Sequence, residues 1–159
     1  MVFLQSHVNR IVDVPISYFW NRLRAFDKIQ TLLPKTIKEV KIPKNFSNSP
    51  GDVRYIYLDK VYHGECIERL DGFIDERFMT YSLLDKSCLP VKNYVSTIEI
   101  REKNHEQTLV NWFGHFKAKT ENRSETVSMF EFNYNLICSN MEKQYIDYIS
   151  KKIILFTKT

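Results

Sequence analysis

Arg54 and Glu68 carry opposite charges and fall in neighbouring runs of alternating residues, Val53-Arg-Tyr-Ile-Tyr-Leu58 and Cys66-Ile-Glu-Arg-Leu70. Alternation puts Arg54 on one face with Ile56 and Leu58, and Glu68 on one face with Cys66 and Leu70. An arginine turned toward an apolar interior is costly unless a carboxylate pairs with it. The two residues therefore either grip the polar end of a ligand or make a structural ion pair at the rim of a sheet. Hydroxyls add to this chemistry. The same parity turns Tyr94, Ser96 and Ile98 inward on a later run, and Met79, Tyr81 and Leu83 inward on the run before it. A phenol in an apolar cavity needs a hydrogen-bond partner, which makes Tyr94 the strongest single polar contact for a ligand; the alternative is a core tyrosine with its hydroxyl at the rim.

Other residue types point away from metal or cofactor chemistry. The cysteines Cys66, Cys88 and Cys138 are odd in number and lack C-x-x-C spacing, so neither a disulfide framework nor a zinc site is expected. His7, His63, His105 and His115 form no H-x-x-x-H or H-E pair, and no glycine-rich phosphate loop is present. No cofactor and no metal are implied. The net charge of +4 comes from Lys and Arg scattered among acids, as on a solvated face, so a nucleic-acid partner is not expected. The start Met1-Val-Phe-Leu-Gln-Ser-His7 lacks the features of a signal peptide, and nowhere do about 18 apolar residues run together, so no transmembrane segment is expected. With free thiols, this implies a cytoplasmic protein; the oligomeric state stays open.

The elements that must position these groups follow from periodicity. With 159 residues, 43% of them apolar, and only four glycines and five prolines, the chain reads as one domain over 1–159. Residues 2 to 12 read as a strand ending at Asp13-Val-Pro15; Pro15 opens a helix carrying Phe19, Trp20, Leu23 and Phe26, and a second helical turn spans about 27 to 33. A strand follows with Ile37, Val40 and Ile42, then five more at roughly 52 to 58, 61 to 70, 73 to 84, 91 to 101 and 107 to 118, with Asp71-Gly72 as one hairpin turn. Links this short require antiparallel neighbours. In the last strand parity leaves two choices open, because Asn111, Phe113 and His115 alternate with Val110, Trp112 and Phe116; a bulge would put Trp112 in the core and Asn111 near a cavity. From Ser124 onward there is no Gly or Pro, and Phe130, Tyr134, Ile137 and Met141 recur at helical spacing, giving one long amphipathic helix capped near Ser124. The expected architecture is α+β: a curved seven-stranded antiparallel sheet wrapped around the long C-terminal helix, with two short helices after the first strand. One helix does not cover so wide a sheet, so a cavity should remain between them, roofed by Phe130, Tyr134 and Ile137.

In this order and spacing, Val14-Pro-Ile-Ser-Tyr-Phe-Trp20, Pro50-Gly-Asp-Val-Arg54, Glu68-Arg-Leu-Asp71, Asp75-Glu-Arg77, Lys92-Asn-Tyr94 with Ser96, and Val110-Asn-Trp112 resemble the START-like helix-grip (SRPBCC) superfamily, across essentially the whole chain. That group includes polyketide cyclases and dehydrases, relatives of the birch-pollen allergen, and abscisic acid receptors. The resemblance implies a helix-grip fold and a small hydrophobic ligand, and it agrees with Tyr94 and Ser96 as lining residues. Lys35 resembles in position the lysine that meets a ligand carboxylate in the receptor branch, although several lysines lie nearby. Where those receptors have a Ser-Gly-Leu-Pro-Ala gate and a His-Arg-Leu latch, this chain has Leu58-Asp-Lys-Val-Tyr62 and Leu89-Pro-Val91, so gated hormone sensing is not implied. The expected function is binding or transport of a lipid or polyketide-like molecule. The alternative is a cyclase or dehydratase in which Arg54, Glu68 and Tyr94 align the substrate and help with proton transfer.

Overall fold

The computed structural model describes residues 1–157, with the backbone alone at 85 and 86. The chain begins with β1 (Val2–Val12) and turns at Pro15, whose carbonyl accepts the first helical bond from the Phe19 amide at 3.0 Å. Helix α1 (Ile16–Arg24) buries Phe19, Trp20 and Leu23, and a 3-10 turn at Phe26–Lys28 leads into α2 (Ile29–Leu32). Then follow β2 (Ile37–Lys41), β3 (Val53–Asp59), β4 (His63–Ile74), β5 (Phe78–Ser87), β6 (Val91–Asn104) and β7 (Gln107–Ala118). A second 3-10 turn, Thr120–Asn122, runs into α3, the 35-residue helix Arg123–Thr157. Five pairings of consecutive strands and the pairing of β1 with β7 build one seven-stranded antiparallel sheet in the order β1-β7-β6-β5-β4-β3-β2.

Three local expectations change. Asp71-Gly72 is not a turn: both residues lie inside β4, where the register slips between Leu70 and Gly72. The hairpin instead closes at Asp75-Glu76-Arg77, with Glu76 at φ 54° and the Arg77 amide bonded to the Ile74 carbonyl. The cross-strand pairing of Phe73 and Ile74 with Met79 and Phe78 outweighs the local turn preference. Ser124 does not cap α3, which is continued from the preceding 3-10 turn; Thr126 Oγ1 donates back to the Asn122 carbonyl at 2.7 Å. In β7 no bulge is needed, because the β1–β7 pairing runs without a shift from Val2 with Ala118 to Val12 with Thr108. Ordinary alternation buries Thr108, Val110, Trp112, Gly114, Phe116 and Ala118 and turns Asn111 outward.

One row across the sheet explains where the helix sits. Leu70, Tyr81, Ser96, Gly114 and Ser6 are successive cross-strand partners, so along this row the inner face falls from large side chains on β4 and β5 to small ones on β6, β7 and β1. At the small end α3 comes down onto the strands. Ser6 Oγ donates to the Val127 carbonyl at 3.1 Å, and the Arg10 guanidinium reaches Ser139 at 3.2 Å and Glu142 at 2.5 Å. A Cβ at Gly114 would overlap the Tyr134 hydroxyl, so only glycine admits that side chain at this depth. Over β2 to β5 the larger residues keep the helix away. There α2 closes the gap, tied to α3 by Asn140 Nδ2 on the Leu32 carbonyl and Gln144 Nε2 on the Thr31 carbonyl, both at 2.7 Å.

Candidate ligand-binding cavity

Between α3, α2 and strands β2 to β5 lies a cavity of about 500 Å³. Ile29 of α2 and Leu33 just after it, with Thr36, Ile37, Ile56 and Leu58, form one wall, and Phe130, Tyr134 and Ile137 of α3 form the roof. Tyr81, Tyr94, Cys66, Arg54 and Glu68 complete it. Around the rim stand Lys60, Val61 and Tyr62 of the β3–β4 loop, Leu89 before β6, and Glu125, Met129 and Phe132 on the first turns of α3. Val61 and Phe132 are 85% and 66% exposed, so the rim presents apolar side chains to solvent.

Two polar groups interrupt the apolar lining. Arg54 and Glu68 are direct partners across β3 and β4, which alternation alone brings to one face. Both Nε and Nη2 of Arg54 donate to the same oxygen, Glu68 Oε2, at 2.7 and 2.5 Å, while Nη1 donates to the Phe26 carbonyl at 2.6 Å. The guanidinium carbon lies over the Phe26 ring, 3.8 Å from its centroid, with the Tyr81 ring 5.5 Å away. A buried arginine is tolerable here because it has a carboxylate, a carbonyl and an aromatic face. Beside it is a cluster of hydroxyls. Tyr94 and Tyr134 share a hydrogen bond of 2.6 Å, and Ser96 Oγ, one layer beneath, accepts the Trp112 indole N–H at 2.8 Å. The Trp112 and Tyr134 rings stack at 4.7 Å, and Tyr94 stacks on Phe130 at 4.6 Å. Burial pushes the phenols of Tyr94 and Tyr134 well above their ordinary value and that of Tyr81 up to about 12. All three stay protonated at neutral pH, as hydrogen-bonding groups and not as bases.

Of the residues singled out by strand parity, Arg54, Ile56, Leu58, Glu68, Tyr81 and Tyr94 line the cavity, and so do Phe130, Tyr134 and Ile137 of the helix stripe. Five others do not. Met79 faces inward but is sealed in the core beyond the cavity, opposite Phe73 and Ile98. Leu83 is opposite Glu68 yet borders a separate hollow of about 280 Å³ with Val91 and Lys92. Ser96 is wholly buried under the tyrosines, positioning and not lining. Asn111 is on the outer face, bonded to His7 at 2.6 Å and Asn9 at 3.2 Å. Lys35 is exposed in the turn before β2, outside the cavity that its neighbours Thr36 and Ile37 line. Ile29 of α2 and Leu33 at its C-terminal cap were missed, although their spacing of four is a helical signal. The rim loops carry no periodic signal at all.

No family model matches the chain, and no curated protein matches it. Solved structures do. An uncharacterised protein from Bacillus thuringiensis is 24% identical over 89% of this chain and 98% of its own, with a TM-score of 0.74. The protein XoxI from Bacillus cereus is 24% identical over 91% of this chain and 97% of its own, with a TM-score of 0.76. The fold is the α+β helix-grip fold. Likeness at this identity carries the architecture and leaves the chemistry to the site. No helix among the described residues is long and apolar enough to cross a membrane.

Proposed function

We propose that the protein binds and carries a small hydrophobic molecule, lipid or polyketide-like, in the cavity under α3. The observation that carries this reading is an apolar cavity of about 500 Å³ with one charge-neutral polar pole, Arg54 with Glu68. Ligand sites of this size are mostly apolar, with a few polar groups that fix orientation. The protonated phenols and the internally paired arginine suit orientation better than proton abstraction. The resemblance of the sequence to the START-like superfamily supports the same reading.

Native mass spectrometry of the protein purified gently from its own cells, followed by denaturing extraction, tests it. A stoichiometric apolar compound is expected, and Ile137→Trp, which fills the cavity, should abolish its retention. A protein that is empty and also takes up no fluorescent apolar probe would refute the carrier reading. One observation favours a second reading as a cyclase or dehydratase: the Tyr94–Tyr134 hydroxyl pair next to Glu68 could donate to a substrate carbonyl. Turnover of a polyketide-like substrate that survives both Tyr94→Phe and Glu68→Gln would end that reading.

A further inference from the structure

The hydrogen bonds at the polar pole are lopsided. Each nitrogen of Arg54 has one partner, two of them on Glu68 Oε2 and the third on the Phe26 carbonyl, which engages three of its five N–H groups. No described residue donates to the other carboxylate oxygen, Glu68 Oε1. The carboxylate is also the more accessible partner, its side chain 14% exposed against 5% for Arg54, and it lines the cavity. A ligand therefore meets a negatively charged acceptor whose countercharge sits behind it under the rings of Phe26 and Tyr81. We propose that Glu68 Oε1 is the ligand's acceptor at this pole, so that the ligand enters with a neutral alcohol or phenol hydroxyl leading, and a carboxylate end is disfavoured by the Glu68 charge. This rests on the ligand-binding reading above.

Three compact probes of one shape decide the matter: naphthalene, 2-naphthol and 2-naphthoate, titrated into the full chain by calorimetry or fluorescence. A hydrogen bond to a charged acceptor should make 2-naphthol bind about tenfold or more tighter than naphthalene, with 2-naphthoate weaker than 2-naphthol. In Glu68→Gln the amide oxygen should turn to Arg54 and the amide N–H to the cavity. The advantage of naphthol should then vanish and methyl 2-naphthyl ketone, an acceptor only, should gain. A melting transition on each protein checks folding, and the wild-type series stands without the variant. Equal binding of the three probes, or 2-naphthoate binding tightest, overturns the polarity and leaves the carrier reading intact. If no ring compound binds, the carrier reading falls with it.

A different observation carries a second inference. Cys66 Sγ, in the cavity wall, lies 3.4 Å from Cys88 Sγ, which follows β5 directly. The Cys88 amide is bonded to the Glu65 carbonyl at 3.0 Å, and Ser87 Oγ donates to Cys66 Sγ at 3.3 Å, so the two thiols are held together by the sheet itself. A disulfide needs the sulfurs at about 2.05 Å, a small closure. We infer that the pair is a site of reversible oxidation by hydrogen peroxide. Cys88, the less buried thiol, attacks the peroxide as its thiolate, becoming a sulfenic acid as the O–O bond breaks and one water leaves. Cys66 sulfur then displaces the hydroxyl, giving the S–S bond and a second water, so two thiols and one peroxide yield one disulfide and two waters. Leu89, at the cavity rim, follows Cys88 immediately, so closure pulls on the mouth.

Hydrogen peroxide in slight excess, then alkylation under denaturing conditions and peptide mapping, should find Cys66 linked to Cys88 and Cys138 alkylated, with full reversal by dithiothreitol. Binding of the neutral cavity probe N-phenyl-1-naphthylamine should change in the wild type and not in Cys88→Ser. Cys88 recovered as sulfinic acid, or bridged to a second chain with Cys66 still alkylated, overturns the inference.

Discussion

One sheet is treated in two ways by one helix. Along one row over β1, β7 and β6 the inner face is small, with Ser6, Gly114 and Ser96, and α3 is bonded to β1 directly. Over β5 to β2 the inner face is large and α3 stands off, leaving a cavity that α2 walls. The difference teaches that the cavity comes from a gradient of side-chain size along the sheet, running through Leu70, Tyr81, Ser96, Gly114 and Ser6. The closed half supplies stability and holds the helix; the open half carries polar groups that a close-packed core would not tolerate.

The sharpest way to break this contrast is to make the same deletion in each half. Ile98→Ala, at a fully buried site of the closed half, should cost about 4 kcal/mol, whereas Ile56→Ala, on the cavity wall, should cost about 2 kcal/mol, because its side chain already lacks neighbours on one side. Denaturant unfolding of the two variants gives both values, and equal losses would mean that the two halves are packed alike. Next, Glu68→Ala should cost about 3 kcal/mol by leaving Arg54 buried without its countercharge, read from the same transitions. Gly114→Ala should cost about 2 kcal/mol by overpacking the closed half, where the new methyl displaces the Tyr134 hydroxyl. Tyr134→Phe in that background should recover part of the loss, which a merely local backbone effect at residue 114 would not allow.

The smallest effect expected is on pH dependence. Burial pushes Cys66 and Cys138 up to about 12, and raises Tyr81, Tyr94 and Tyr134 as well. Each of these protons is held more tightly in the folded chain than in the unfolded one. Their stability is therefore complete below the unfolded values, and is lost as pH rises above ~8.5 for the thiols and ~10 for the phenols. The melting midpoint should fall between pH 9 and 11, and less steeply in Tyr94→Phe.

Much of the site was legible before the structure because strand parity is a strong physical constraint. Arg54 and Glu68 reach one face by counting in twos, and so do Tyr81 and Tyr94. Met79 and Leu83 obey the same parity and still miss the cavity, since parity tells which face a residue is on and not what lies above it. Asn111 was ambiguous for another reason. The outer face of β7 is also aromatic, with Phe113 stacked on His7 at 4.3 Å, so the hydrophobic pattern does not separate inside from outside there. In β6 a slip between Lys92 and Val95, with Asn93 at φ 52°, puts both Val91 and Tyr94 inside, which no strict alternation predicts.

By itself the sequence determined the order of elements, the α+β class, the long helix and the inward face of most strands, because these depend on periodicity and on turn chemistry within a few residues. Only the tertiary structure decided the row that runs from Leu70 to Ser6, the meeting of the Tyr94 and Tyr134 hydroxyls, the approach of Cys66 to Cys88, and the rim built from three separate segments. Each of these depends on register and helix height between residues far apart in the chain, which are set by packing of the whole sheet and leave no local mark.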